Sequence, residues 1–526
     1  MCPVMDKVEM EIPAHCTVLV VGGGPGGSYT AAALARENVD VVLLESDRFP
    51  RYHIGESMLP SFRHFLRYID LDSTFLDHGF TQKNGAAFKV VQGKREGYTD
   101  FISAGGPNNF TWNVIRSEAD YLMFQHARSG GAKVFDGVRV NDIDFDDKTS
   151  HPVRASYTQK ATGTKGTINF RYLVDASGRA GLVNTKYMKN RTYNKALKNV
   201  AHWGYWRGTK PYQEGMEREN SPFFEALKDE SGWAWYIPLH DGTVSIGVVM
   251  DQELATSKRR AMFDTSCKED HTLESFYRSS LRLAPNLMQL ISGGELTSSV
   301  KLASDYSYSA STYSSPYVRV VGDAGCFIDP FFSSGVHIAL TGALSAAVTI
   351  CAALKGDCKE ATAANWHSTK IQSVYQRFLM VVLSAYHQMR RQDNSIWSQL
   401  GEDNVDEAFE RIRIIIQGTA DIGGSGVSQS HLKETLDFCA QAWNHAEPEK
   451  MAKFKQKLGS SSLSSVESNR FSREELQILH HLQARKAMCT ESTLGLDCFH
   501  TDVIEGLKPV LDRGRLGLVR ILPAEL

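Results

Sequence analysis

Gly22, Gly24 and Gly27 stand as G-x-G-x-x-G directly after the apolar run Thr17–Val21 and directly before an alanine-rich segment. At this spacing the first glycine permits a tight turn and the second lets backbone approach a pyrophosphate. The third lets a helix pack closely on a strand. The phosphate then rests on the free amides and positive dipole end of the helix. Glu45 closes the next apolar run, "VDVVLLE", where a carboxylate can accept hydrogen bonds from ribose hydroxyls. Two later segments repeat the theme of an acid beside glycine after a strand. "YLVDASGRAG" carries Asp175 and Gly178, and "VRVVGDAG" carries Gly322 and Asp323. Each alone is an ordinary strand-terminal turn; three in this order suit one extended nucleotide cofactor. "GWAWYIP" adds Trp233 and Trp235, two of only 8 tryptophans, so a strand here would put both indoles on one face. By itself that pattern is a hydrophobic strand core.

The elements that must carry these residues follow from the hydrophobic period. The first fifty residues read as strand, glycine turn, helix and strand, a βαβ unit. Strand-like pieces recur over residues 86–113, followed by an amphipathic helix over Arg116–Gly130 and more strands over residues 133–174. A second strand group lies near residues 200–208, 233–239 and 243–250. Beyond Tyr317–Gly325 the pattern changes to long helical segments up to about Gly418. The Ser/Gly-rich stretches Asp421–Ser430 and Leu458–Asn469 read as surface loops.

Composition limits the function classes. Net charge is -2 over 526 residues, with no basic run, which speaks against nucleic acid and membrane-surface partners. The 9 cysteines are odd in number and lack a C-x-x-C pair, so a reduced, cytoplasmic protein without disulfides or a metal site is expected. Val336–Leu354 is nearly long enough to span a bilayer, but its His337, Thr341, Ser345 and Thr349 predict a helix buried inside the fold.

Several segments together resemble the flavin-dependent halogenases, in particular the fungal enzymes acting on phenolic polyketides of the resorcylic lactone type. They are "RFPRYHIGESMLP" (Arg48–Pro60), "GFTQKNGAAF" (Gly79–Phe88), "WAWYIP" (Trp233–Pro238) and "FIDPFFSSG" (Phe327–Gly335). The resemblance implies an α/β (α+β) fold with a Rossmann-like ββα FAD-binding domain of the flavoprotein monooxygenase type, a substrate-side sheet and a helical C-terminal part. It places the FAD-binding and halogenase core at residues 1–345, with nucleotide elements at 15–50, 170–185 and 316–345. The substrate-side sheet then covers about 80–115 and 199–300, and residues 346–526 form a mainly helical substrate-covering region.

The resemblance also implies the chemistry. Reduced FAD reacts with O2 to a C4a-hydroperoxide, which chloride (or bromide) attacks to give hypochlorous acid. The oxidant travels to Lys83, beside a phenolic substrate held away from the flavin. In a loop, a lysine alone is a solvated surface charge; the surrounding segment assigns Lys83 its catalytic role. Trp233, Trp235 and Pro238 would form the wall between flavin and substrate. Gly22, Gly24, Gly27, Glu45, Arg116, Asp175, Gly178, Gly322 and Asp323 would bind FAD, and Ser334 and Gly335 chloride. A separate NAD(P)H flavin reductase would supply FADH2. Phe332 replaces a glutamate of the tryptophan halogenases, which favours phenols, rings that already direct electrophiles. A single-component aromatic hydroxylase is the competing reading; its histidine-to-proline signature after Gly-Asp is replaced here by "GDAGCFIDP".

Overall fold

The computed structural model describes residues 11–265, 271–392 and 503–521, with isolated positions between 409 and 439. Two large sheets organise them. In the first, strand His15–Val21 lies between Lys165–Asp175 and Val41–Leu44, all parallel, with Val318–Val320 and Lys133–Phe135 continuing the parallel set outward. Their cores are continuous Val and Leu runs, as strands covered on both faces require. Register sets the function of this sheet. Val21 pairs with both Leu44 and Asp175, and Asp175 pairs with Val320. The strand ends are therefore level, and the turns that follow, with Gly22, Glu45, Ala176 and Gly322, meet along one carboxyl edge. In open parallel sheets that edge is where ligands bind.

Helix Pro25–Arg36 starts from this edge with proline in its first turn, where the missing N–H costs nothing. Gly22 has φ +102°, and a Cβ on it would lie 2.2 Å from the Ala176 carbonyl oxygen. A Cβ on Gly27 would lie 1.9 Å from the Gly22 carbonyl oxygen. Glycine is thus required at both positions, for the turn and for the close helix–strand packing.

The second sheet runs in the order Glu295–Leu296, Asn199–Arg207, Val244–Asp251, Gly232–Pro238, Phe223–Ala226, Gly85–Lys89, Gly97–Asp100. Gly232–Pro238 is central and buried throughout. Trp233 and Trp235 project to the face shared with the first sheet's core, while Ala234 and Tyr236 join a second cluster on the opposite face. Gly247, paired with Trp235, makes room for it: a Cβ there would stand 2.3 Å from the indole.

Helix Gly335–Lys355 is long and apolar enough to cross a membrane by length and composition, yet its most apolar window is 83% buried in the fold. It packs on Pro25–Arg36 and on Glu360–Met389. The boundary expected at 345/346 thus falls inside one continuous helix. The C-terminal region also contains strands, since Leu507–Val510 and Gly517–Arg520 form a hairpin packed on Gly335–Lys355. The two Ser/Gly-rich stretches lie outside the described residues apart from Asp421.

Candidate active site

A cavity of about 710 Å³ runs from the carboxyl edge of the first sheet to the tryptophan face of the second. It is lined by Gly22, Gly24 and Glu45 at the sheet edge, by Arg51, Arg116 and Asp323, and by Trp233 and Trp235 on the strand of the second sheet. Glu45 accepts from the Gly23 amide at 2.6 Å and the Asp47 amide at 2.8 Å. Those bonds fix the carboxylate at the cavity edge with lone pairs left for a diol.

Two arginines line the cavity. Arg116, fully buried at the head of helix Arg116–Ser129, donates to Asp120 Oδ1 at 2.8 Å and to Asp120 Oδ2 at 3.1 Å, a helical i,i+4 pair. Arg51 donates to Asp120 Oδ2 at 2.9 Å. One buried carboxylate thus holds two guanidinium groups at the cavity wall, Arg51 also lying 3.8 Å from Glu45, and their remaining N–H groups can donate to a phosphate. Burial pushes the Asp323 carboxyl up to about 6 although Arg116 and two further arginines pull it down. Its position on the wall lets it bond a ligand hydroxyl.

Asp175 departs from expectation. Its oxygens accept from the Ser177 amide at 3.1 Å and the Val183 amide at 2.6 Å, so it braces the turn after its strand. Its neighbours Ala176, Ser177 and Gly178 line the cavity instead. Likewise Ser333 and Gly335 border the cavity, whereas the Ser334 hydroxyl is buried without a hydrogen-bond partner among the described residues. Ser334 is the cap of helix Gly335–Lys355 but makes no side-chain capping bond, so the helix's first amides are left for another acceptor.

At the far end the indoles stand 5.8 Å apart, with Trp203 at 6.4 Å from Trp235 and Phe331 at 5.1 Å from Trp233. Trp233 Nε1 donates to the Tyr386 hydroxyl at 2.7 Å, and Tyr386 donates to Asp329 Oδ2 at 2.8 Å. Asn199 Nδ2 donates to the same carboxylate oxygen at 2.9 Å. Burial lifts the Asp329 carboxyl to about 6, with these partners opposing the shift. Pro238 lies outside the cavity; its carbonyl accepts from Asn113 Nδ2 at 3.1 Å.

Lys83 is no loop residue. It ends the strand Thr81–Lys83, paired with Thr111–Asn113, and is only 2% exposed. Its ammonium nitrogen donates to Ser57 Oγ at 2.8 Å and to the Met58 carbonyl at 2.9 Å, and lies 5.2 Å from the Phe101 ring centre. Burial alone drives its pKa down to about 7. Lys83 does not line the flavin-side cavity; Ser57 does. Ser57 thus borders the cavity and holds the lysine. Next to it, burial raises the Glu56 carboxyl to about 7, and the Tyr205 hydroxyl donates to it at 2.5 Å.

The tryptophan halogenase family model matches residues 17–108 and 103–447. The chain is 54% identical over 524 residues to the flavin-dependent halogenase ascD of Acremonium egyptiacum, covering 96% of this chain and 93% of that one. The chain belongs to the flavin-dependent halogenases. The sulochrin halogenase gedL of Aspergillus terreus is 47% identical, covering 98% and 96% of the two chains. Among solved structures, the myxobacterial chondrochloren halogenase CndH superposes with TM-score 0.65 at 27% identity, covering 82% of this chain and 97% of that one.

This halogenase uses FAD, and the donor set fits that cofactor: uncapped helix amides at two glycine-opened sites, a diol acceptor in Glu45 and a paired-arginine wall. Sequence reasoning missed Arg51, Asp120, Glu56, Ser57, Asp329 and Tyr386. Arg51, Glu56 and Ser57 sit in the quoted segment Arg48–Pro60, and Asp120 is readable as the i+4 partner of Arg116. Nothing local marks Tyr386, 153 residues from its indole partner.

Gly27→Ala tests the cradle. The methyl would force the helix off the strand, so flavin fluorescence titration should show affinity for FAD reduced by at least roughly tenfold. Unchanged affinity would remove Gly27 from the binding machinery.

Proposed function

We propose that this halogenase places chlorine or bromine on an electron-rich phenolic ring of a polyketide-type natural product, with Lys83 delivering the oxidised halogen. The observation that carries this reading is a desolvated lysine whose ammonium nitrogen is bonded to Ser57, a residue of the flavin cavity that Trp233 and Trp235 also line. FAD, reduced by a separate NAD(P)H-dependent reductase, would with O2 and halide supply hypohalous acid.

The chain's own residues would then act in three ways. Trp233 and Trp235 fill the cavity end and keep both water and the organic ring from the flavin. A hydroxylase needs the opposite, its ring within bonding reach of the cofactor. Ser57 and the Met58 carbonyl hold the lysine nitrogen on a fixed line. Burial provides a neutral amine above about pH 7, a form able to carry chlorine. Phe332, 2% exposed and packed 5.3 Å from Phe88 and 4.8 Å from Phe331, supplies no carboxylate to assist a less activated ring. A phenol does not need one, and the relative named a sulochrin halogenase is consistent with this choice. The described cysteines are free thiols, which suits action in the cytoplasm.

The test mixes purified protein with FAD, a generic flavin reductase, NADH, O2 and bromide, and offers a panel of resorcinol-type phenols. Mass spectra should show bromine's isotope doublet. Products gaining only oxygen, without bromide dependence, would establish a hydroxylase instead.

A further inference from the structure

Away from the flavin cavity, three side chains from distant parts of the chain converge on one point. His78 ends helix Asp72–His78, Glu118 lies in the first turn of helix Arg116–Ser129, and His240 follows the tryptophan strand by two residues. His78 Nε2 stands 2.7 Å and His240 Nε2 3.1 Å from the same oxygen, Glu118 Oε2. The three ligand atoms lie within 4.8 Å of one another. None of the three lines the flavin cavity.

We propose that His78, Glu118 and His240 bind one divalent ion of the zinc class, which clamps the strand of Lys83 to the strand of the tryptophan wall. The donor set selects the ion. Two imidazoles and one carboxylate suit zinc and its first-row neighbours, whereas magnesium and calcium prefer all-oxygen shells. Bond lengths near 2.0–2.1 Å place ligand atoms of a tetrahedral zinc roughly 3.3 Å apart. His240 is already at about that spacing, and His78 must retreat by roughly half an ångström.

The rings are held for the task. Phe80 packs beside both, its centroid 4.2 Å from His78 and 5.2 Å from His240, while the two imidazoles stand 5.7 Å apart edge to face. His240 Nδ1 is buried and has no hydrogen-bond partner among the described residues, so Nε2 is the nitrogen engaged with the cluster. The three side chains are 29%, 37% and 21% exposed, which leaves the fourth position to water. An ion here would act on the reaction centre through short lever arms. His78 lies just before Thr81–Lys83, and His240 just after Pro238, whose carbonyl is already bonded to Asn113 of the strand paired with Lys83.

The inference does not depend on the nature of the substrate. Full-length, FAD-loaded protein, freed of metal by chelator and dialysis, is titrated with zinc chloride by calorimetry. One equivalent should bind, unaffected by millimolar magnesium, and the melting temperature should climb until that equivalent is reached. His78→Gln, His240→Gln and Glu118→Gln should each weaken zinc binding at least tenfold while the flavin absorbance spectrum stays that of the parent. Failure of the parent protein to bind zinc overturns the site. So does zinc binding of parent strength in the three variants, each shown folded by its retained flavin.

Discussion

Lys83→Ala should retain FAD and lose halogenation by roughly 10²–10⁴-fold, the range in which a positioned proton- or group-transferring side chain contributes. Flavin content and the rate of bromophenol formation, measured on the same preparation, separate the two effects. Unimpaired turnover would move the chemistry elsewhere. Lys83→Met should be as inactive, yet more stable than the parent near neutral pH. The reason is the burial that makes the lysine useful. Its pKa in the folded protein is about 7, against 10.5 for an ordinary lysine. Between those values the unfolded chain holds a proton that the folded chain does not, so the stability of the parent rises with pH across that window. Below about pH 7 the folded protein must bury an ammonium. Methionine removes the titrating group, so the pH slope between about 7 and 10 should flatten in Lys83→Met. Melting temperatures at the two ends of the window decide this. A parallel slope in parent and variant would show that the lysine is not desolvated. With the neutral amine as the carrier, the halogenation rate of the parent should also rise through about pH 7.

Much of this was legible because the dinucleotide edge is local chemistry. Gly22, Gly24, Gly27 and Glu45 sit on adjacent elements, and the parallel register of Val21, Leu44, Asp175 and Val320 brings the later turns level with them. An acid after a strand and beside glycine is nevertheless ambiguous. Asp323 lines the cavity, while Asp175, in a similar sequence context, spends one oxygen on the Ser177 amide of its own turn and the other on the Val183 amide eight residues on. Only the fold distinguishes them. The tryptophan face was readable from its two-residue period, but the strut behind it was not. Tyr386 reaches Trp233 from the last turn of helix Glu360–Met389, and no periodicity announces that a tyrosine hydroxyl will find an indole N–H across 153 residues. Lys83 shows a third kind of difficulty. Its strand has three residues, too short to separate from a loop by pattern, and it is buried against Phe101 and the extended segment at Ser57 and Met58.

Asp421→Ala should be the most destabilising single substitution among the polar residues named here, by about 3–5 kcal/mol, as when one partner of a buried ion cluster is removed. The carboxylate is 2% exposed and accepts from Arg377 at 2.8 Å and Lys370 at 3.3 Å, with His337 Nε2 at 3.0 Å. Burial opposes its ionisation, but Arg377, Lys370 and His337 outweigh that and hold its pKa well below the usual 3.8. Without it, positive charge remains in the core. The loss would also reach the cofactor, because His337 lies two residues beyond Gly335 in the helix turn that borders the flavin cavity. Its other ring nitrogen is fixed by Ser61 Oγ at 2.8 Å, so the turn is held from both sides. FAD affinity should therefore fall together with melting temperature. Acid provides an independent check. A carboxylate whose folded pKa is depressed contributes stability that is present above about 3.8 and is lost as pH falls toward the folded value. Asp421→Asn keeps the shape without the titration, so its stability should decline less steeply than the parent's below pH 3.8. Equal acid slopes would mean that the charge of Asp421 does not hold the cluster, and the flavin-side turn would have to owe its position to Ser61 and packing alone.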